Sequence, residues 1–400
     1  MTPTVEISRE DAGATIAQLP DGWRWVRLGD ICGVATGGTP STNHPEYYGG
    51  DVRWLKSGDV KGTYILEVPN RITSLGLANS NARVHPPGSV MLALSGQGKT
   101  RGTSAILTFP CACSQSVAAL LPSNEAIPEV IHFALVYFYE AIRLLTGDNE
   151  RTGLNLKIVR NIKIPLPPLS EQKRIARILK EQMAAVERAR RSAEAQLQTA
   201  DVLPAAYLRA VFSKPEVQSW PRKPFGDLVE NFDGRRVPVK LDERRNKQGS
   251  YPYYGASGII DYVDDFLFDG EYLLIGEDGA NLVLRSSPIA FKASGKFWVN
   301  NHAHVVQPKD GIPLDYLLHF FAVTDLKLYV TGAAQPKLTQ GDLNSIPIPV
   351  PPPSNQGPIT AQLSWHLSSA ELLRQTLVEQ LDAINKLPAA LLRRAFSGGL

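Results

Sequence analysis

Cysteine is scarce: the 400 residues hold three, Cys32, Cys111 and Cys113. That is an odd number without the spacing of a disulfide framework. Long apolar runs are also missing, and no stretch approaches the ~18 residues a membrane span needs. Residues 1–20 carry Glu6, Arg9, Glu10 and Asp11 and no apolar signal region. A reducing, cytoplasmic setting is therefore expected. Charge of one sign is lacking too, since a net +3 is too small to announce nucleic acid by itself. What is present forms cores: 43 % hydrophobic and 20 % charged residues exclude a mostly disordered chain. At ~100–200 residues per domain, two or three domains are expected.

Catalytic motifs are the next absence. Ala93-Leu-Ser-Gly-Gln-Gly-Lys99-Thr100 fits a relaxed phosphate-loop pattern, but a phosphate loop must open a helix. The residues that follow, Arg101 to Pro110, read as strand and turn. Asp51, Asp59 and Lys61 only loosely resemble an acidic-x-Lys nuclease site. None of the Pro-Pro runs, which follow His85, Leu166 and Val350, has the acidic or amide residue an amino-methyltransferase places there. Cys111-x-Cys113 and His302-x-His304 lack zinc spacing. Gly255-Ala-Ser-Gly258 is one residue short of a nucleophile elbow. No metal site is expected, and an enzyme with its own active site is disfavoured.

What organises the chain is an internal repeat. Residues 162–172 (IKIPLPPLSEQ) match 346–356 (IPIPVPPPSNQ) at 7 of 11 positions. Residues 203–213 (LPAAYLRAVFS) match 387–397 (LPAALLRRAFS) at 8 of 11, and both pairs are 184 residues apart. This period far exceeds the ~20–50 residues of solenoid repeats, so a domain with its connector is duplicated. Each connector reads as one long helix. Proline-rich leaders precede it, and Ser170 and Ser354 stand where an N-cap belongs. Ile175, Leu179, Met183, Val186, Ala189, Ala193, Leu197, Ala200 and Leu203 then step by three or four. Their counterparts are Ile359, Leu363, Leu367, Ala370, Leu373, Leu377, Leu381, Ile384 and Leu387. This is a narrow coiled-coil seam, with Pro204 and Pro388 marking a kink or break. Roughly 33 helical residues would make a rod of ~50 Å.

Weaker matches tie the globular parts together. Residues 23–31 parallel 220–228, 86–93 parallel 268–275, and Cys113-Ser-Gln-Ser-Val-Ala parallels Val299-Asn-Asn-His-Ala-His. Apolar helices are expected at 131–142 and 315–330. The class is α+β. The divisions are a lead at 1–19, globular domains at 20–169 and 214–353, and long helices at 170–213 and 354–400. Basic residues gather early in the second domain, from Arg222 to Lys247, and acidic ones later, from Asp261 to Glu271.

This combination resembles the specificity subunit of type I restriction–modification systems. The carriers are Val52-Arg-Trp-Leu-Lys-Ser-Gly-Asp-Val60, Tyr251-Pro-Tyr-Tyr-Gly-Ala-Ser-Gly-Ile-Ile260, Thr331-Gly-Ala-Ala-Gln-Pro-Lys-Leu338 and the two proline-rich exits. The second half departs from the family pattern at Asn355 and Gly357, and the first at residues 151–156, which lack the Gln-Pro. The resemblance implies two target-recognition domains held apart by antiparallel coiled-coil helices. Each domain would read one half of a bipartite, asymmetric DNA site. The helices would dock two methyltransferase subunits, and restriction subunits would join them. S-adenosylmethionine, ATP and Mg²⁺ belong to those partners, with no cofactor on this chain. Gly-rich loops bearing amides and cations suit base edges and phosphates. The candidate DNA contacts are Lys56, Ser57, Gln97, Lys99, Thr100 and Arg101 in the first domain. In the second they are Arg235, Arg236, Tyr254, Ser257, Asn281, Gln335 and Lys337. The rival readings are a stand-alone nucleotide-dependent enzyme or nuclease, and a coiled-coil scaffold that binds no DNA.

Overall fold

In a computed structural model of the chain, residues 19–96, 98–145, 153–309, 311–332 and 335–400 are described. The chain forms two compact units, one running to Ser192 and taking in Leu381–Leu400, the other Ala193–Gln380.

In the first unit, strands Val90–Ala93, Ser104–Leu107 and Val117–Leu120 are buried at every position. Such continuous apolar runs belong to a sheet covered on both faces. With Val34–Thr36 at one edge and Tyr64–Ile65 at the other they make a five-stranded sheet. One face packs Val90, Leu92 and Ile106 against Val130, Ile131 and Phe133 of helix Pro128–Tyr137. Ile175 and Leu179 join that core, as do Leu392, Ala395 and Phe396 from near the C-terminus. The other face packs Met91, Ala105 and Ala119 against Leu55 and Val60. A four-stranded sheet holds Arg71–Ile72, Tyr48–Leu55, Cys111–Cys113 and Val84–His85 in that order. The apolar helix expected at 131–142 is two pieces, since Tyr139–Leu144 follows as a separate helix.

The second unit has one six-stranded sheet: Val229–Asn231, Ala303–Pro308, Phe268–Gly276, Ala290–Val299, Gln248–Gly255 and Gly258–Val263. Leu273, Ile275 and Val306 pack against Tyr316, Leu317 and Phe321 of helix Leu314–Val323. That helix is shorter than the expected 315–330. It stops where the Thr324 hydroxyl turns back to the Phe320 carbonyl at 2.7 Å. In both units the proline-rich leader is a strand, pairing Lys163–Leu166 with Arg24–Arg27 and Pro347–Pro349 with Arg222–Pro224.

The long helices are Leu169–Phe212 and Pro353–Phe396, 44 residues each. They run past the ~33 residues expected before a break, because neither Pro204 nor Pro388 interrupts them. An interior proline costs ~3 kcal/mol. Here the turns beyond it are anchored: Leu208, Val211 and Phe212 enter the second unit's core, and Leu392, Ala395 and Phe396 the first's. Ser170 and Ser354 are not N-caps, because helix begins one residue before each. The motif's glutamine is what ties the leader to the helix. Gln172, 1 % exposed, donates to the Pro167 and Glu125 carbonyls and accepts from the Ile127 amide. Its repeat partner Gln356 donates to Pro351, the counterpart of Pro167.

The buried seam keeps a strict period of seven, through Leu179, Ala193 and Ala200 on one helix and Leu363, Ala370, Leu377 and Ile384 on the other. Ile175 is buried as well, while Met183, Val186, Leu197, Ile359, Leu367 and Leu381 are half-buried. Leu373 was expected in the seam but is 46 % exposed. The neighbouring Arg374 is equally exposed and pairs across the helices with Asp201 at 3.1 Å, so among the described residues no large side chain is buried at this level of the second helix. Ala189, Leu203 and Leu387 likewise lie outside it. Each helix start meets the other helix's end. Ile175 and Leu179 share a core with Phe396 in the first unit, and Phe212 shares one with Leu363 in the second. The pairing is antiparallel, as expected.

Candidate nucleic-acid interface

The repeat becomes geometric where a parallel strand pair ends. In the first unit Leu55 lies opposite Cys113, and in the second Tyr254 lies opposite Val299. The next amides bond back alike, Ser114 to the Leu55 carbonyl at 2.9 Å and Asn300 to the Tyr254 carbonyl at 3.1 Å. Lys56 and Ser57 therefore leave the first unit's strand where Gly255 to Ser257 leave the second's. Four candidate residues, Lys56, Ser57, Tyr254 and Ser257, are brought to one pseudo-equivalent place.

The other candidate loops correspond as well. Leu154 donates its amide to the Leu94 carbonyl, and Leu338 to the Glu277 carbonyl, both at 2.7 Å. The loop bearing Lys99 and Thr100 thus matches the one bearing Asn281, with Gln335 and Lys337 alongside. Gln97 lies outside the described residues. Tyr139 and Arg143 hold the first loop by donating to the Lys99 and Gly98 carbonyls. The antiparallel strand Ser104–Leu107 follows it, not a helix, which disposes of the phosphate-loop reading.

Lys56, Lys99, Arg235, Ser257, Gln335 and Lys337 are exposed, and Ser57, Thr100 and Tyr254 half-buried. Lys56 sits 5.0 Å from the Trp54 ring, and Arg235 lies 4.8 Å over Phe268. Such stacking orients a cation while leaving its charge available. Three candidates instead serve the fold. Arg101 is only 8 % exposed. Arg236 donates to Glu277 at 2.6 Å and to the Ala303 carbonyl at 2.8 Å. The Asn281 side chain clamps its own loop, bonding the Ser287 amide and carbonyl. Sequence alone could not separate these, because a cation that faces solvent and one that stitches strands look the same.

The acidic residues around Arg236 form a buried network that no sequence motif signals. His304, 1 % exposed, bonds Asp233 through Nδ1 at 2.6 Å and the Leu338 carbonyl through Nε2 at 2.9 Å. Burial alone would raise the Asp233 pKa. The His304 bond and charge, the Val305 amide and Arg236 outweigh it and hold the carboxylate below its usual range. Glu277 is lowered in the same way, burial being outweighed by Arg236, His304 and Lys337. Asp233, Glu277 and His304 could each offer a ligand atom within 4.8 Å of the others. Arg236 and Lys337 already neutralise those carboxylates, and both His304 nitrogens are engaged, so the donor set does not suit a metal ion. The network's task is to pin the 335–338 loop against the strand end. Cys111 and Cys113 are buried thiols pushed up to about 12 by desolvation, inert rather than reactive.

Two similar frames carrying unlike polar tips invite comparison with known proteins. A family model described as the type I restriction modification DNA specificity domain matches residues 20–196 and again 218–382. The chain belongs to the type I restriction–modification specificity subunits. A putative type I restriction enzyme specificity subunit of Haemophilus influenzae, S.HindORF215P, is 38 % identical over 150 residues, 38 % of this chain and 37 % of that one. This chain therefore aligns with little over a third of that relative's length. The EcoprrI specificity subunit of Escherichia coli is 26 % identical over 346 residues, covering 82 % of this chain and 83 % of the relative. The crystal structure of the HsdS subunit from Thermoanaerobacter tengcongensis shares the fold, with TM-score 0.67, 20 % identity and coverage of 96 % and 98 %. A chain from a structure describing complex assembly and conformational transition of the type I R-M system gives TM-score 0.73 at 21 % identity, covering 96 % of this specificity subunit and 100 % of that chain. Among the described residues no helix is long and apolar enough to cross a membrane.

Proposed function

We propose that this specificity subunit reads a bipartite, asymmetric DNA site, one half-site per unit, and directs adenine methyltransferase and restriction subunits to it without chemistry of its own. The observation that carries the reading is the repeated strand-end frame with different residues upon it. Lys56 and Ser57 stand in one copy where Gly255 to Ser257 stand in the other. Base identity is read by side chains, whereas phosphates accept any well-placed cation or amide. One scaffold with two sets of tips therefore suits two unlike half-sites. Membership of the DNA specificity family supports duplex DNA as the ligand.

Two methyltransferase subunits dock along the long helices on this reading. Trp365 and Leu372, each 65 % exposed, are seven residues apart and share a helix face. Large apolar side chains left in water this way mark a protein contact. S-adenosylmethionine, ATP and Mg²⁺ sit on the partners. The test is the genome-wide map of methylated adenine in host strains with and without this chain. Loss of one asymmetric, interrupted motif on deletion is expected. A symmetric continuous motif, or no lost motif, contradicts the reading.

A further inference from the structure

The turn after the parallel strand carries, in each unit, an exposed carboxamide. Cys111–Cys113 leads into Ser114-Gln115-Ser116, and Ala290–Val299 into Asn300-Asn301-His302. The two turns are built alike. Buried Ser114 accepts from the Ser116 amide through its hydroxyl at 3.4 Å, and buried Asn300 accepts from the His302 amide through Oδ1 at 2.8 Å. The first side chain of each turn is thus occupied with the backbone. The second, Gln115 or Asn301, faces out.

In the first unit the surroundings form a groove of about 350 Å³, lined among others by Thr39, Trp54, Lys56, Ser57 and Gln115. One wall exists because of a glycine. The Gly38 amide donates to the Cys113 carbonyl at 3.0 Å, and a Cβ on Gly37 would fall 1.7 Å from that oxygen. The close approach brings the Thr39 hydroxyl to the Gln115 carboxamide oxygen. That contact fixes the amide plane and leaves Nε2 without a partner among the described residues. Lys56 closes the groove from the other strand end.

We propose that Gln115 and Asn301 are base-reading residues, each discriminating an A·T pair in the half-site of its own unit. A carboxamide matches the adenine major-groove edge, accepting from N6–H₂ and donating to N7, a bidentate pair that favours adenine by roughly tenfold to a hundredfold over the wrong base. Thr39 pre-orients the first of these amides, and Asn301 presents the second from the same register position. The inference rests on the DNA-reading function proposed above and names the residues that carry it.

The experiment maps methylated adenine in a host lacking the native chain and supplied with wild type, Gln115→Ala, Gln115→Glu or Asn301→Ala. Gln115→Ala is expected to make one A·T position degenerate in one half-site and leave the other half-site intact. Asn301→Ala is expected to do the reverse. Gln115→Glu keeps the side chain's length but exchanges the amide donor for an acceptor. It shifts that same position toward a pair presenting the cytosine amino group. A wild-type motif from Gln115→Ala and Asn301→Ala alike overturns the proposal. So does loss of all methylation by both Gln115 variants in a chain that still co-purifies with its methyltransferase, because the residue then supports affinity and not base choice. If deleting the chain removes no motif, the DNA-reading function itself fails; a motif that depends on the chain yet ignores both carboxamides refutes this inference alone.

Discussion

Truncating Phe396 to alanine removes the last aromatic of the second long helix from the first unit's core. Phe396 is fully buried, with its ring centroid 5.5 Å from that of Tyr137. A phenylalanine buries on the order of 200 Å², which at ~25 cal/mol per Å² amounts to some 5 kcal/mol. Alanine keeps part of this, so a loss of ~3–4 kcal/mol is expected, within the usual range for Phe→Ala. Its repeat counterpart Phe212 packs against Tyr316 and Phe320 at 5.5 Å in the other unit. Hydrogen exchange read peptide by peptide separates the two. In Phe396→Ala, amides of the sheet containing Val90–Ala93 and Val117–Leu120 should exchange on the order of 100-fold faster, while those of Phe268–Gly276 keep their protection. Phe212→Ala should give the mirror pattern. Fraying confined to the last helical turn, or equal loss in both sheets, would refute the claim that each helix end is part of one unit's core.

Other substitutions separate contact from scaffold. Lys99→Ala should weaken DNA binding by the assembled methyltransferase and lower the slope of log affinity against log salt by about 1. Arg101→Ala, beside it, should instead lower the unfolding midpoint, because the side chain is buried. Burial pushes His132 down to about 4. Between that value and its ordinary 6.5 the unfolded chain binds a proton the folded one does not, so stability falls with falling pH and levels off near 4. The loss totals ~3 kcal/mol, and urea midpoints between pH 7 and 4, flattened in His132→Asn, measure it. Asp233 and Glu277 titrate low, so their contribution is complete above the ordinary carboxylate range and disappears below it; His304→Ala should loosen the 335–338 loop, read as faster exchange at Leu338. Trp365→Ala with Leu372→Ala should reduce co-purification with the methyltransferase subunit while leaving unfolding of the free chain unchanged.

Much of the architecture was legible because duplication leaves a ruler in the sequence. The 184-residue offset located both long helices, and the heptad-spaced residues identified most of the buried seam. Failures came where a local rule met a tertiary one. Proline should end a helix, but the anchored turns beyond Pro204 and Pro388 carry it through. Leu373 looked like a seam residue by hydrophobicity, yet it is left exposed where Arg374 and Asp201 pair across the helices. Among the candidate contacts, residue type alone did not separate the exposed side chains from those the fold engages. Asn281, Arg101 and Arg236 have the chemistry of DNA contacts and are occupied in holding the fold. Gln115 and Asn301 were already aligned by the repeat, yet only the buried Ser114 and Asn300 show that the middle residue of each turn is left facing out.

The central claim is that each unit reads one half-site independently on a shared frame. Exchanging residues 214–353 for the corresponding segment of another type I specificity subunit, and then mapping methylated adenine in the host, measures it most directly. A motif that changes in one half while the other half persists is the predicted result. A motif that changes in both halves, or in neither, contradicts it.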